Sequence, residues 1–211
     1  MTKIKLCGLY RECDIDYANE AVPDYVGFVL LFPKSHRCIT AETAEKFKKK
    51  LNPAIQTVGV FVDAPPQRCA EYANSGIIDL IQLHGSEDAD YIGSLRKICQ
   101  APIIKAVKVS TVSDLEQAAK LPVDFLLLDH GTGTGKPFDH RILDGTSLPL
   151  PYFLAGGLSP RNISEVIQKY RPYAVDLSSG IETDRKKDRE KMIAAVRAAR
   201  EAEQTFGFPK E

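Results

Sequence analysis

The chain has 211 residues, of which 44% are hydrophobic and 27% charged, and its 28 basic and 28 acidic side chains leave a formal charge of zero. That balance gives no global attraction to nucleic acid or to an anionic membrane, and no apolar stretch approaches the roughly 20 residues a membrane helix needs. The cysteines, Cys7, Cys13, Cys38, Cys69 and Cys99, are scattered without a C-x-x-C pair, which speaks against zinc; with no apolar leader after Met1, a cytoplasmic chain with reduced thiols is expected.

Short β-rich runs alternate with helical patterns from end to end. Strand 4–7 comes first, then helix 14–21, strand 25–30 and helix 41–50, with Thr40 as N-cap. Strand 57–62, helix 67–74, strand 80–83, helix 89–99, strand 103–107 and helix 112–120 follow, with Ser113 as a second capping candidate. After strand 125–128, the proline-punctuated segment 138–149 leaves room only for a short or irregular helix. Strand 152–155 leads to helix 160–170, announced by Ser159 as N-cap and Pro160 at the first helical position. Strand 174–177 and helix 186–204 complete the series.

Several of these strands are apolar on both parities, as strands covered by helices on one side and buried on the other must be. Eight of them at intervals of about 20–30 residues match a compact (β/α)₈ TIM barrel forming one catalytic domain over 1–211. An open doubly wound sheet would want a GxGxxG turn after its first strand, and Gly8-Leu9-Tyr10 does not supply one.

In such a barrel the chemistry collects at the C-terminal ends of the strands. The first strand ends in Cys7, the fourth leads to His84, the sixth ends in Asp129, and the seventh runs into Gly156-Gly157. The eighth ends in Asp176-Leu177-Ser178-Ser179-Gly180. Loops after the last two strands are the habitual phosphate site of these barrels, so Gly156, Gly157, Ser178, Ser179 and Gly180 are expected to grip a phosphate. Cys7 reads as a small packed side chain, a nucleophile or a base; paired with Asp129 it makes a base and an acid on either side of a reacting group. Lys5, two residues earlier and on the same strand face, is the first candidate for lowering the Cys7 pKa. Arg37 offers a planar fork for a substrate carboxylate. The run Gly131-Thr132-Gly133-Thr134-Gly135-Lys136 fails the P-loop spacing, since Pro137 follows, and reads as a loop over the site.

Taken in order, these segments resemble the phosphoribosylanthranilate isomerases of tryptophan biosynthesis. The resemblance rests on Lys5-Leu6-Cys7-Gly8, Gly27-Phe28 with Pro33-Lys34-Ser35-His36-Arg37, and Val58-Gly59-Val60-Phe61-Val62. It continues through Gln82-Leu83-His84-Gly85, Leu128-Asp129, Gly133-Thr134-Gly135-Lys136, Leu154-Ala155-Gly156-Gly157-Leu158 and Val175-Asp176 through Glu182. His140 stands where a tryptophan is common in that family, and Thr132 where glycine is. The resemblance implies a cofactor-free Amadori rearrangement with Cys7 as general base and Asp129 as general acid. It further implies Arg37 on the anthranilate carboxylate, with Asp176 and His84 among the substrate contacts. The implied partner is a small phosphoribosyl substrate, with no metal, nucleic acid, membrane or obligate protein partner. The rivals are another phosphosugar barrel, such as the histidine-pathway isomerase that has aspartate in place of Cys7, and a non-catalytic phosphate-binding barrel.

Overall fold

The computed structural model describes residues 1–129, 140–146 and 148–204. Eight parallel strands close on themselves: β1 (Lys3–Cys7), β2 (Tyr25–Leu30), β3 (Gln56–Phe61), β4 (Leu80–Leu83), β5 (Ile103–Lys108), β6 (Phe125–Asp129), β7 (Tyr152–Leu154) and β8 (Ala174–Leu177). Each pairs with the next, and β1 pairs with both β2 and β8, so the sheet has no seam. The helices α1 (Glu12–Ala21), α2 (Ala41–Lys50), α3 (Pro66–Asn74), α4 (Ala89–Arg96), α5 (Val112–Ala118), α6 (Ile163–Tyr170) and α7 (Arg189–Gln204) connect them. The expected barrel is therefore present.

The strand alternation sorts side chains into two cores. Ile4, Leu6, Val26, Phe28, Ile81, Leu83, Leu126 and Leu128 point outward and meet the helices. Tyr25, Val58, Leu80, Ile104, Leu127, Phe153 and Ala174 point inward and fill the barrel. Continuing the inward parity toward the C-terminal ends exchanges apolar groups for Lys5, Cys7, Gln82, Asp129 and Asp176. The interior is thus apolar at its base and charged at its mouth. Helix α2 shows why the chain turns back where it does: the Thr40 hydroxyl accepts from the Thr43 N–H, Ala44 and Phe47 face the barrel, and Lys48, Lys49 and Lys50 sit at the negative end of the dipole.

Three expectations at helix starts need correction. The α-helix after β7 starts at Ile163; Ser159, Pro160 and Arg161 form a preceding turn in which the Asn162 side-chain oxygen accepts from the Ser159 N–H. Thr111, not Ser113, caps α5, in a reciprocal box with Asp114. Lys186 and Lys187 are not helical: they pair antiparallel with Glu182 and Thr183. Asp184 and Arg185 join the two arms with φ of 50° and 63°, the backbone of a tight two-residue hairpin turn. Between β6 and β7 the described residues hold only a 3₁₀ turn, His140–Leu143, in line with the irregular connection expected there.

Candidate active site

The mouth of the barrel is built around β1. Lys5 is fully buried, and its ammonium donates to Asp176 Oδ2 at 2.9 Å and to Gln82 Oε1 at 2.8 Å. Two strand positions further on, the Cys7 thiol lies on the same inner face, 8% exposed. Room for both comes from Gly27, the register partner of Cys7 on β2. A Cβ at Gly27 would stand 2.7 Å from Cys7 Sγ and 3.3 Å from Lys5 Cε. A glycine inside a strand is the sequence signal for such an approach.

The charges around Cys7 act as expected in sign, with a different net outcome. Lys5 does favour the thiolate, and Lys187 adds to it, but burial is the larger effect and Asp176 reinforces it, so the thiol is pushed above its ordinary range. Lys5 itself is held charged: burial disfavours its ammonium, but Asp176 and Cys7 outweigh it and raise its pKa. Asp176 is paired on one side only. Its Oδ1 is buried and has no hydrogen-bond partner among the described residues.

Asp129 ends β6, three strands round the barrel from β1, on the inner parity. His84, just past β4, keeps a face open to solvent at the mouth; the charges of both Asp129 and Asp176 favour its protonated form, but desolvation by the protein packed around the ring outweighs them and lowers its pKa. Its Nδ1 lies 2.9 Å from Gln82 Nε2. The loop behind it is fixed by a buried ion pair, Lys105 Nζ to Glu87 Oε2 at 2.8 Å. Glu87 also accepts from the Asp63 and Gly85 N–H groups, tying the β3 and β4 exits together.

Gly156 and Gly157 both adopt positive φ, 88° and 71°, which suits glycine and bends the chain sharply after β7. Ser178 precedes a 3₁₀ turn, Ser179–Ile181. The two loops touch at Gly180, where a Cβ would fall 1.9 Å from the Leu158 carbonyl oxygen. Lys187, whose side chain is fully buried, donates to the Ser178 carbonyl at 3.0 Å and to Glu182 Oε1 at 2.6 Å. Burial lowers the Lys187 pKa despite that partner.

Arg37 is held side-on, with Nε and Nη2 each donating to Glu182 at 2.8 Å. Burial opposes the Glu182 carboxylate, but Arg37 and Lys187 outweigh it and lower its pKa. Gly8, at φ 76°, makes room for Arg37, whose Cδ would lie 2.5 Å from a Cβ there. Glu182 and Lys187 were not singled out from the sequence; the run of lysines before α7 reads as helix, and nothing local marks a hairpin. Gln82 was visible only as a strand-end residue without a role. The loop Gly131–Lys136 lies outside the described residues.

All the anticipated site residues within the strands and turns therefore sit at one end of one barrel. Among the described residues there is no group of His, Cys, Asp and Glu fit to hold a metal ion, and no helix is long and apolar enough to cross a membrane.

Comparison with known proteins gives the same direction. The family model for N-(5'-phosphoribosyl)anthranilate isomerase matches residues 4–198. The isomerase of Endomicrobium trichonymphae is 43% identical over 205 residues, covering 95% of this chain and 99% of its own. That of Thermoanaerobacter sp. (strain X514) is 42% identical, covering 95% and 98%. The crystal structure of the Thermotoga maritima enzyme superposes with a TM-score of 0.83 at 34% identity, covering 95% of this chain and all of its own (100%). A phosphoribosylanthranilate isomerase in complex with reduced 1-(o-carboxyphenylamino)-1-deoxyribulose 5-phosphate gives 0.81 at 32% identity, with coverage of 95% and 100%. A barrel of this order, with a thiol and carboxylates at its mouth and a match over nearly its whole length, belongs to the N-(5'-phosphoribosyl)anthranilate isomerase family.

Proposed function

We propose that this isomerase converts N-(5-phosphoribosyl)anthranilate to 1-(2-carboxyphenylamino)-1-deoxyribulose 5-phosphate by an Amadori rearrangement, with Asp129 as general acid and Cys7 as general base. Asp129 gives its proton to the ribose ring oxygen. The C1–O bond breaks as the anilino nitrogen supplies its lone pair, leaving a C1=N iminium. Cys7 removes the proton from C2, and the electron pair flows into the iminium to give an enolamine, which tautomerises to the ketose. The iminium is the electron sink, so the substrate supplies what a cofactor would otherwise provide.

The observation that carries this reading is the Cys7–Lys5–Asp176 group. A buried thiol with a raised pKa is a poor base at rest. A cation formed next to it favours the thiolate, and ring opening creates one at the moment the base is needed. Lys5 then stabilises the same thiolate from below. The buried, unpartnered Asp176 Oδ1 suits a donor from the ligand, and a sugar hydroxyl is such a donor. Gly156, Gly157, Ser178, Ser179 and Gly180 surround the phosphate, and Arg37, braced by Glu182, takes the anthranilate carboxylate with its remaining N–H groups.

Turnover of freshly prepared phosphoribosylanthranilate, followed as loss of its anthranilate-type fluorescence, tests the activity. Cys7→Ser and Asp129→Asn are each expected to lower kcat by about 10²–10⁴-fold, the usual worth of a general acid or base, while the far-UV circular dichroism stays unchanged. Near-normal kcat in either variant would remove that residue from its role.

A further inference from the structure

The bonds of Gln82 determine more than its own position. Lys5 Nζ, 2.8 Å away, carries only donors, so the Gln82 atom facing it must be the amide oxygen. The amide nitrogen is then the atom facing His84 Nδ1 at 2.9 Å, and an amide nitrogen only donates. His84 Nδ1 must accept, which leaves the ring proton on Nε2. A proton on Nδ1 would set two donors against each other across that distance. The assignment is fixed from one end by the Lys5–Asp176 ion pair, since the ammonium is anchored by a carboxylate at 2.9 Å and cannot turn acceptor.

We propose that Gln82 is a positioning residue that locks His84 as the neutral Nε2–H tautomer, so that His84 serves the phosphosugar as a hydrogen-bond donor and not as a base. This rests on the placement of the substrate at the mouth of the barrel given above. The charged groups acting on His84 are Asp129 on β6, Asp176 on β8, Lys5 on β1 and Lys105 on β5. Of these the two carboxylates favour an imidazolium, while desolvation by the surrounding protein and the two lysines oppose it; the Gln82 amide N–H aimed at Nδ1 opposes it as well, since an imidazolium would set two donors face to face. The chain Asp176–Lys5–Gln82–His84 thereby links the β8, β1 and β4 ends of the mouth through consecutive hydrogen bonds. The arrangement also explains why a buried glutamine stands on the inner face of β4, where the neighbouring layer is apolar.

The test reads the tautomer directly, by long-range proton–nitrogen correlation spectra of the ¹⁵N-histidine-labelled enzyme, with His84→Asn used to assign the signal. The wild type should show the Nε2–H pattern and no imidazolium down to below the ordinary histidine pKa of about 6.5. Gln82→Glu replaces the donor facing Nδ1 with an acceptor, so His84 should become Nδ1-protonated and titrate at higher pH. Gln82→Met removes the constraint and should give a mixture. Both variants should lower kcat/KM by roughly tenfold, about one hydrogen bond's worth, with substrate affinity carrying most of the loss. An Nδ1–H tautomer or an imidazolium near neutral pH in the wild type would overturn the proposal, as would an unchanged His84 signal in Gln82→Glu. The tautomer is measured without substrate, so its outcome is independent of whether the enzyme turns over phosphoribosylanthranilate. A locked tautomer with unchanged kcat/KM in both variants would also refute the positioning role.

Discussion

Gly27→Ala adds one methyl group where the Cys7 thiol, the proposed base, sits. Its Cβ would lie 2.7 Å from Cys7 Sγ and 3.2 Å from Cys7 Cα. Carbon contacts are comfortable at about 3.5–4.0 Å, so the thiol must withdraw by about 1 Å. The backbone of β1 can yield little, because it is hydrogen-bonded to β2 and β8 on both sides. Overpacking of this kind costs about 1–3 kcal/mol, and in a domain of this size each kcal/mol lowers Tm by about 2–4 °C. The catalytic loss is larger than the stability loss, since a 1 Å misplacement of a reacting group costs about 10²-fold. Fluorescence-monitored kcat/KM and a thermal melt measure the two effects side by side. Adding Cys7→Ala removes the sulfur: the double variant should regain part of the lost Tm while staying inactive, a coupling that only residues in contact show. If Gly27→Ala melts and turns over like the wild type, the thiol does not occupy this place and the reading of the β1–β2 mouth is wrong.

Other perturbations address the remaining parts of the site. Gly180→Ala forces a Cβ to within 1.9 Å of the Leu158 carbonyl, so the loops after β7 and β8, the proposed phosphate grip, must separate; KM for the phosphosugar should rise more than kcat falls, and an unchanged KM would show that the loops do not act together. The raised Cys7 pKa predicts that thiolate forms in the free enzyme only above the ordinary thiol value of about 8.5. Alkylation rates of a variant keeping only this cysteine should therefore still be climbing with pH there, and Asp176→Asn, by removing the anion that opposes the thiolate, should move the curve to lower pH. A wild-type curve already flat at pH 8 would contradict this. Lys105→Met leaves the buried Glu87 carboxylate without its cation and should cost about 3–5 kcal/mol, read as a lower urea midpoint and partly restored by adding Glu87→Gln. Equal midpoints for Lys105→Met and wild type would mean the pair does not brace the β3 and β4 exits.

How much of this was legible in the sequence depends on the range of the interaction concerned. Strands such as Tyr25–Leu30, Leu80–Leu83 and Ala174–Leu177 emerge with their observed bounds, because their apolar runs are local and their ends are marked. The strand ends in turn bring Cys7, Asp129, Asp176 and His84 to one rim, since parity and chain direction alone decide which way each points. Pro160 misled because proline at a turn and proline at the first helical position look alike without the Asn162 side chain that closes the turn. Glu182 was invisible as the brace of Arg37 because its partner is 145 residues away. Net charge balance around Cys7 was equally beyond reach: Lys5 is readable from parity, but the desolvation that outweighs it is a property of the whole closed barrel.

The ion pair between Lys5 and Asp176 joins residues 171 positions apart. Lys5 enters the first strand to be synthesised, whereas its counter-ion arrives with the last. Until β8 is made, closing a partial barrel over β1 would bury an ammonium without its carboxylate, a cost of several kcal/mol. A truncated or nascent sheet is thereby discouraged from settling around the wrong neighbour, and the same two charges that act in opposite senses on the thiol serve as a latch recording that the chain has come full circle. Separately expressed N- and C-terminal halves should for the same reason remain loosely folded apart and become compact on mixing.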